Sequence, residues 1–366
     1  MKILYLANIR LPTEKAHGVQ IMETCAAFAA AEHEVTLVVS SWQSSAENVI
    51  FAYYNLPRTF SIKRIPSVAL PSWGILGFLI GSAVFALNVR RKIEFERYDA
   101  VFTRDAFLVR SGFFYEMHDV RKGPFQRSAL KRAAGVVCIT KGLAEYCKKT
   151  GLEENKIMVA PDAVDLRKFF VAEDKKACRA KLGLPINKKI ILYAGHLYAW
   201  KGADVLAKAA SLLSSDALAV FVGGTDSDIV LFRKKFGSDQ RIIIAGRQPH
   251  DLIPYYLKAA DVLVLPNSAK EDISRLYTSP LKLFEYMASG VPIVASDLPS
   301  LREIIDESSA FFAKPDDPRS LAETLKRVLE DPTGAARGAE TALSVVGRYD
   351  WDSRAARIIS LITSLS

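Results

Sequence analysis

Tyr277-Thr278-Ser279-Pro280-Leu281-Lys282-Leu283-Phe284-Glu285-Tyr286-Met287-Ala288-Ser289-Gly290-Val291-Pro292-Ile293-Val294-Ala295-Ser296 reads as a whole helix running into a strand. Ser279 is placed to cap the helix N-terminus and Pro280 suits the first helical position. Gly290 suits C′, ahead of Pro292, which cannot continue a helix. Ile293-Val294-Ala295 then forms a short buried strand. Leu281, Phe284 and Met287 share one helical face, and Lys282 and Glu285 share another. A helix start with unpaired N–H groups and a lysine in its first turn is an anion site. A carboxylate one turn further in can hold a pair of hydroxyls, as on a ribose. Together these are the parts of a nucleotide-diphosphate site.

The strands around this segment set the fold class. Ile3 to Ala7, Glu34 to Val39, Ala100 to Thr103, Phe113 to Met117, Val136 to Thr140 and Ile157 to Ala160 read as strands, with a helix from Gln20 to Ala31 between the first two. A charged stretch, Glu173-Asp174-Lys175-Lys176, runs on to Pro185 and reads as a linker. A second set follows: Ile190 to Ala194, Ala219 to Val222, Arg241 to Ala245, Val262 to Leu265 and Ile293 to Ala295. Such βαβ alternation predicts two parallel, doubly wound α/β domains. The expected boundaries are residues 1–170, a linker at 171–186, residues 187–350, and a final amphipathic helix over 351–366.

Composition bounds the function without choosing it. The 366 residues are enough for two cores, and half of them are apolar. Lysine and arginine exceed aspartate and glutamate, 49 to 40, for a net charge of +9. That balance suits nucleotide diphosphates or an anionic membrane surface. No dense basic tract interleaved with aromatics argues for nucleic acid. Cys25, Cys138, Cys147 and Cys178 form no CxxC pair, which predicts reduced thiols and a cytoplasmic protein. The stretch Met1 to Ala7 reads as a buried strand and not as a signal sequence.

Other candidate residues stand at predicted strand ends, where open α/β sheets bind ligands. Lys201, in Gly195-His196-Leu197-Tyr198-Ala199-Trp200-Lys201-Gly202, can neutralise a leaving diphosphate, with His196 beside it. His118 follows the strand ending at Met117 and is a candidate acid or base. Arg104, Lys141 and Asp162 hold equivalent positions, and Gly18 opens the loop before the first helix. Thr278, Ser279 and Tyr277 precede the anion-binding helix, and Arg247 completes the donor-side set. Asp226-Ser227-Asp228 has the spacing of a metal-binding pair, but its place at a helix start favours ordinary first-turn acids. No metal site is expected.

The segment at Tyr277 to Pro292 resembles the donor-binding motif of GT-B glycosyltransferases of the group 1 family, family 4-like and retaining. Glu285 and Tyr286-Met287-Ala288-Ser289-Gly290-Val291-Pro292 match it, and Lys201-Gly202 matches a second family element. Gly18, His118 and Pro161-Asp162-Ala163-Val164-Asp165 follow the family order in the first half. The resemblance implies two Rossmann-like domains facing a cleft and transfer of a sugar from a nucleotide sugar without a metal cofactor. It implies that Glu285 binds the ribose, and that Lys201, His118 and His196 are catalytic. Two family positions differ: Tyr277 replaces a glutamate that contacts the sugar, and His196 replaces an arginine. Glu271 or Asp272 is a candidate for the missing carboxylate. Two other readings stay open, a nucleotide-sugar epimerase and a weakly catalytic sugar-nucleotide-binding protein.

One further stretch bears on location. Ser72 to Val89 is apolar and is followed by Arg90-Arg91-Lys92. A buried core helix, a helix touching an anionic membrane and a membrane span are the three readings. The basic cluster tips the expectation towards a peripheral protein on the inner face of the membrane, with a glycan or lipid-linked acceptor as in polysaccharide biosynthesis.

Overall fold

The computed structural model describes residues 1–68, 73–105, 107–108, 111–121 and 123–365. The chain folds as two units. One comprises Met1–Asp162 and Trp351–Ser366, the other Ala163–Asp350.

The first unit is built on seven parallel strands: β1 (Lys2–Ala7), β2 (Glu34–Ser40), β3 (Ser61–Ile65), β4 (Ala100–Thr103), β5 (Phe113–Met117), β6 (Ala133–Cys138) and β7 (Ile157–Val159), ordered β3-β2-β1-β4-β5-β6-β7. The second has six: β8 (Lys189–Ala194), β9 (Ala217–Val222), β10 (Ile242–Gly246), β11 (Val262–Leu265), β12 (Ile293–Ser296) and β13 (Phe311–Ala313), ordered β10-β9-β8-β11-β12-β13. All strand pairings among the described residues are parallel. Helices cover both faces, so central strands such as Val262-Leu263-Val264-Leu265 are buried throughout and read as unbroken apolar runs. In each unit the order reverses beside the first strand, β1 against β4 and β8 against β11. The loops leaving those strands flank the switch point where doubly wound sheets hold ligands.

Two strands escaped the sequence reading, β3 and β13. Both are edge strands. Ser61-Ile62-Lys63-Arg64-Ile65 turns most of its polar side chains to solvent, and β13 is three residues long. The first helix starts at Ala16, earlier than Gln20.

The expected linker at 171–186 is a correction. The chain passes between the units at Asp162–Ala163, and Lys175–Leu182 is a helix of the second unit. Asp174 caps that helix by accepting from the Ala177 N–H at 2.8 Å. Arg179, almost fully buried, donates to the carbonyls of Ala259, Ile186 and Lys188 and pairs with Asp261 at 2.7 Å. Charge alone suggested an exposed tether; here the charges are the anchor.

The final helix, Trp351–Leu365, packs on the first helix, Ala16–Ala30. Its Arg354 is 3% exposed and pairs with Glu116, 1% exposed, on β5. Arg354 also donates to the Pro161 carbonyl at 2.8 Å. Glu116 accepts further bonds from the Tyr5 hydroxyl at 3.1 Å and the Gln20 amide at 2.8 Å. Burial pushes the Glu116 carboxyl up, but the Arg354 charge outweighs it and holds the group well below the usual carboxylate range. A buried pair broken from one side strands a charge. Arg354→Met should therefore destabilise the first unit by about 3–5 kcal/mol, whereas Glu116→Gln with Arg354→Met together should cost less. Urea unfolding of both variants checks this; equal losses would mean that the charges do not act as a pair.

Candidate functional site

In the second unit the loop after β8 lies against the end of β11. Gly202, at φ +72°, leaves no room for a side chain, because a Cβ there would run into the Pro266 carbonyl. The Ser268 N–H donates to the Trp200 carbonyl at 2.9 Å. These contacts hold Lys201 at the switch point. The helix Leu281–Ser289 is fixed to the same place by Tyr286, whose hydroxyl accepts from the Ala194 N–H at 2.8 Å, at the last residue of β8.

Lys201, Lys282 and Glu285 converge there. The Lys282 ammonium is buried, has no hydrogen-bond partner, and sits 4.0 Å from the centroid of the Tyr193 ring. Burial, then the charge of Lys201, pushes Lys282 well below the ordinary lysine range. Burial lowers Lys201 to about 8, with Glu285 opposing. Burial also raises the Glu285 carboxyl to about 7, against the pull of Lys282 and Lys201. Two cations and a carboxyl thus share one poorly solvated site, and the protein does not itself satisfy Lys282. The Asn267 side-chain oxygen, just past β11, is likewise buried without a hydrogen-bond partner. Sequence reasoning passed over Asn267. Its only signal was an amide directly after a buried strand at the switch point.

Several expected details change. Pro280 is the N-cap, not Ser279: its carbonyl accepts from the Leu283 N–H at 2.8 Å, and no side chain caps the helix. Ser279 is instead buried, and the Thr278 hydroxyl donates to the Ile273 carbonyl. Leu281 begins the helix, and Tyr277 is partly buried four residues before it. Gly290 ends it at φ +65°. Asp272 is exposed and pairs with Arg275 at 2.7 Å, and Glu271 is exposed beside it. His196 follows β8, its ring stacked on Tyr198 at 5.0 Å. Arg247 is exposed just after β10. Asp228 belongs to a capping box with Thr225, which explains the Asp226-Ser227-Asp228 spacing without a metal. Among the described residues no group of three or more His, Cys, Asp or Glu is arranged to hold a metal ion.

In the first unit His118 follows β5 with its side chain 18% exposed, and its Nε2 is 3.3 Å from Glu116. Burial, then the charge of Arg104, lowers its pKa, so the imidazole is neutral at pH 7. Arg104 is held by Gln20 at 2.8 Å. Asp162, buried after β7, is raised by burial. Glu116 and Arg354, missed in the sequence, are the foundation of this cluster. Lys141 is exposed at the start of the helix Lys141–Lys149. Gly18 lies inside the first helix, and a Cβ there would collide with the Tyr54 hydroxyl and Thr13. Packing inside the unit accounts for that glycine.

The comparisons with known proteins agree with this arrangement. A family model described as glycosyl transferases group 1 matches residues 174–345, and one described as glycosyltransferase family 4 matches residues 17–168. A putative teichuronic acid biosynthesis glycosyltransferase of Bacillus subtilis is 29% identical over 56% of this chain and 50% of its own length. A D-inositol 3-phosphate glycosyltransferase of Xylanimonas cellulosilytica is 29% identical over 58% of this chain and 52% of its own. The chain thus spans about half the length of the relatives it matches. Among solved structures, Anabaena HepE in complex with UDP superposes with a TM-score of 0.76 at 18% identity, covering 100% of both chains. That likeness shows the fold: GT-B, with two Rossmann-like units.

Folding raises the Glu285 carboxyl from 4.5 to about 7, so its stability contribution is complete below pH 4.5 and is lost as pH rises through 7. Folding lowers Lys201 from 10.5 to about 8, so its contribution is complete above pH 10.5 and is lost as pH falls through 8. Between the two values neither remains. Lys282, lowered by burial, loses its contribution as pH falls and opposes the Glu285 slope in wild type and variant alike, so the test is the difference between them: Glu285→Gln should lack the fall in Tm that Glu285 contributes between about pH 4.5 and 7. An unaltered acid slope in that variant would show that Glu285 does not hold its proton.

Proposed function

The chain belongs to the group 1 glycosyltransferases of GT-B fold, and on that premise we propose that it is a retaining enzyme moving a hexosyl group from a nucleotide-diphosphate sugar to an acceptor. The observation that carries this reading is the convergence of Lys201, Lys282 and Glu285 at the switch point of the second unit, with Lys282 buried and unpartnered. Ammonium groups held away from water attract the diphosphate strongly, and Glu285, one helical turn on, accepts hydrogen bonds from a ribose. As the glycosidic bond breaks, negative charge grows on the departing phosphate. Lys201 meets that charge, the task a metal performs in other transferases, so no metal is required. Retention follows the family, and the neutral His118 of the first unit serves the acceptor side.

The acceptor is a cell-envelope or lipid-linked glycan. The helix Gly74–Lys92 supports this part of the reading. Ser72, where the apolar run begins, lies outside the described residues. Among the described residues no helix is long and apolar enough to cross a membrane. Phe85, Ala86 and Val89 are buried, while Leu76, Leu79, Ala83 and Leu87 form an exposed stripe leading to Arg90, Arg91 and Lys92. Trp73 is exposed at its start. An apolar stripe with a basic end is suited to lie on an anionic membrane.

A thermal-shift series with UDP, GDP and ADP and their sugars tests donor binding; one base should raise the Tm well above the others. Glu285→Ala should weaken that binding by about 1.5–3 kcal/mol through loss of a charged hydrogen bond. Lys201→Ala should lower kcat more than donor affinity, because the charge it meets develops only in the transition state. Activity abolished by EDTA and restored by Mn²⁺ would reject the metal-free mechanism. Sedimentation with anionic vesicles tests the surface: binding should weaken with salt, at about 1 kcal/mol for each of Arg90, Arg91 and Lys92.

A further inference from the structure

We infer that Glu116 is a positioning residue for His118: its carboxylate fixes the ring proton on Nε2 and leaves Nδ1 as a hydrogen-bond acceptor. The donor that Nδ1 meets, a hydroxyl of the acceptor, follows only on the transferase reading above, whereas the proton's place on the ring follows from Glu116.

The carboxylate is held from three elements. Its Oε1 accepts from the Arg354 guanidinium of the last helix and, at 2.8 Å, from the Gln20 amide of the first helix. Its Oε2 accepts from the Tyr5 hydroxyl of β1 at 3.1 Å. An ionised carboxylate oxygen offers about two lone-pair sites, so Oε2 keeps one for a further donor. The atom that faces it is His118 Nε2, at 3.3 Å. This nitrogen is buried, and in the empty protein its approach stops short of a formed hydrogen bond. A lone pair on Nε2 would be repelled by the carboxylate, with no water between to screen the two. A proton on Nε2 turns the same contact into an attraction. Neutral imidazole has one N–H and one acceptor, so fixing one nitrogen decides the other.

Glu116 can set the ring because its own charge does not change while a histidine titrates. Against its burial, the Arg354 charge holds the carboxyl well below the usual carboxylate range. The other ionisable groups around the ring are Arg104 past β4, Asp162 past β7 and His17 in the first helix. Burial and Arg104 oppose a second ring proton, while Glu116 and Asp162 favour one. The first two prevail, so the ring carries a single proton at neutral pH, and Glu116 decides where it sits. The last helix thus reaches His118 through one carboxylate.

The test is a long-range proton–nitrogen correlation spectrum of the nitrogen-15-labelled chain, in which protonated and bare ring nitrogens are well separated. The chain has five histidines, and His118→Asn identifies the His118 signals by their loss. Wild type at about pH 7.5 should show His118 with a protonated Nε2 and a bare Nδ1. The reverse pattern, or an even mixture, overturns the assignment, and that measurement needs no variant to fold. The second arm is Glu116→Gln with Arg354→Met, which removes both buried charges together. There the protonation midpoint of His118 should move to lower pH by about half a pH unit or more, because the carboxylate that favours the imidazolium is gone. His33, bonded to the chain's first amino group in the same unit, should keep its wild-type signals and so report an intact fold. A His118 midpoint equal to that of wild type, with His33 unmoved, overturns the role of the carboxylate. The spectra need no nucleotide, so their result is separate from that of the donor-binding series.

Discussion

The Glu116–Arg354 pair is the constraint on which the chain's path depends. It joins the middle of the first sheet to a helix that is last in sequence, so the first unit is complete only after the second has been threaded between. The pair is fully buried, and each partner is surrounded by further donors and acceptors: Tyr5 and Gln20 on the carboxylate, the Pro161 carbonyl on the guanidinium. A buried ion pair is tolerable only when its remaining hydrogen bonds are satisfied. Here they are, and their partners come from β1, the first helix, β5 and the segment after β7. The same carboxylate stands beside His118, so the group that fastens the C-terminal helix also forms the floor of the polar cluster at the end of β5.

The second unit uses buried charge in the opposite sense. Arg179 is buried and fully bonded, and it serves the fold. Lys282 is buried without a hydrogen-bond partner, and burial pushes it well below the ordinary lysine range. The contrast lies in bonding and not in exposure, because both residues are buried. Glu285 and Lys201 share the Lys282 environment, and each is moved toward its neutral form by the same lack of water. That shared lack of water is what the proposed binding of a diphosphate draws on.

Much of this was legible locally. Gly290 and Pro292 marked the end of a helix, and the apolar runs marked the central strands, because those signals depend on neighbours a few residues away. Lys201 and Glu285 were singled out because each lies in a recognisable sequence frame, Lys201 in a glycine-flanked loop after a strand and Glu285 in the middle of a helix with a clear start and stop. The misreadings share one cause. The stretch around Lys175 looked like a tether because charge usually means solvent, and the bonds that bury Arg179 come from residues distant in sequence. Gly18 was read as a loop glycine ahead of the first helix but lies within it, and only the position of Tyr54 shows what fills the space a Cβ would take.

The amino-acid sequence by itself determined the periodicity and the order of the central strands and their helices, and so the class of fold and the family. These are short-range properties of backbone geometry and apolar pattern. Tertiary structure alone decided which charges meet. Lys282 and Lys201 lie on separate elements, as do Glu116 and Arg354, and the energy of each group depends on the water its neighbours exclude and the charges they bring near. Neither quantity is a property of a residue's sequence neighbours. For that reason the sequence offered candidate site residues, while the state of each one came from the fold.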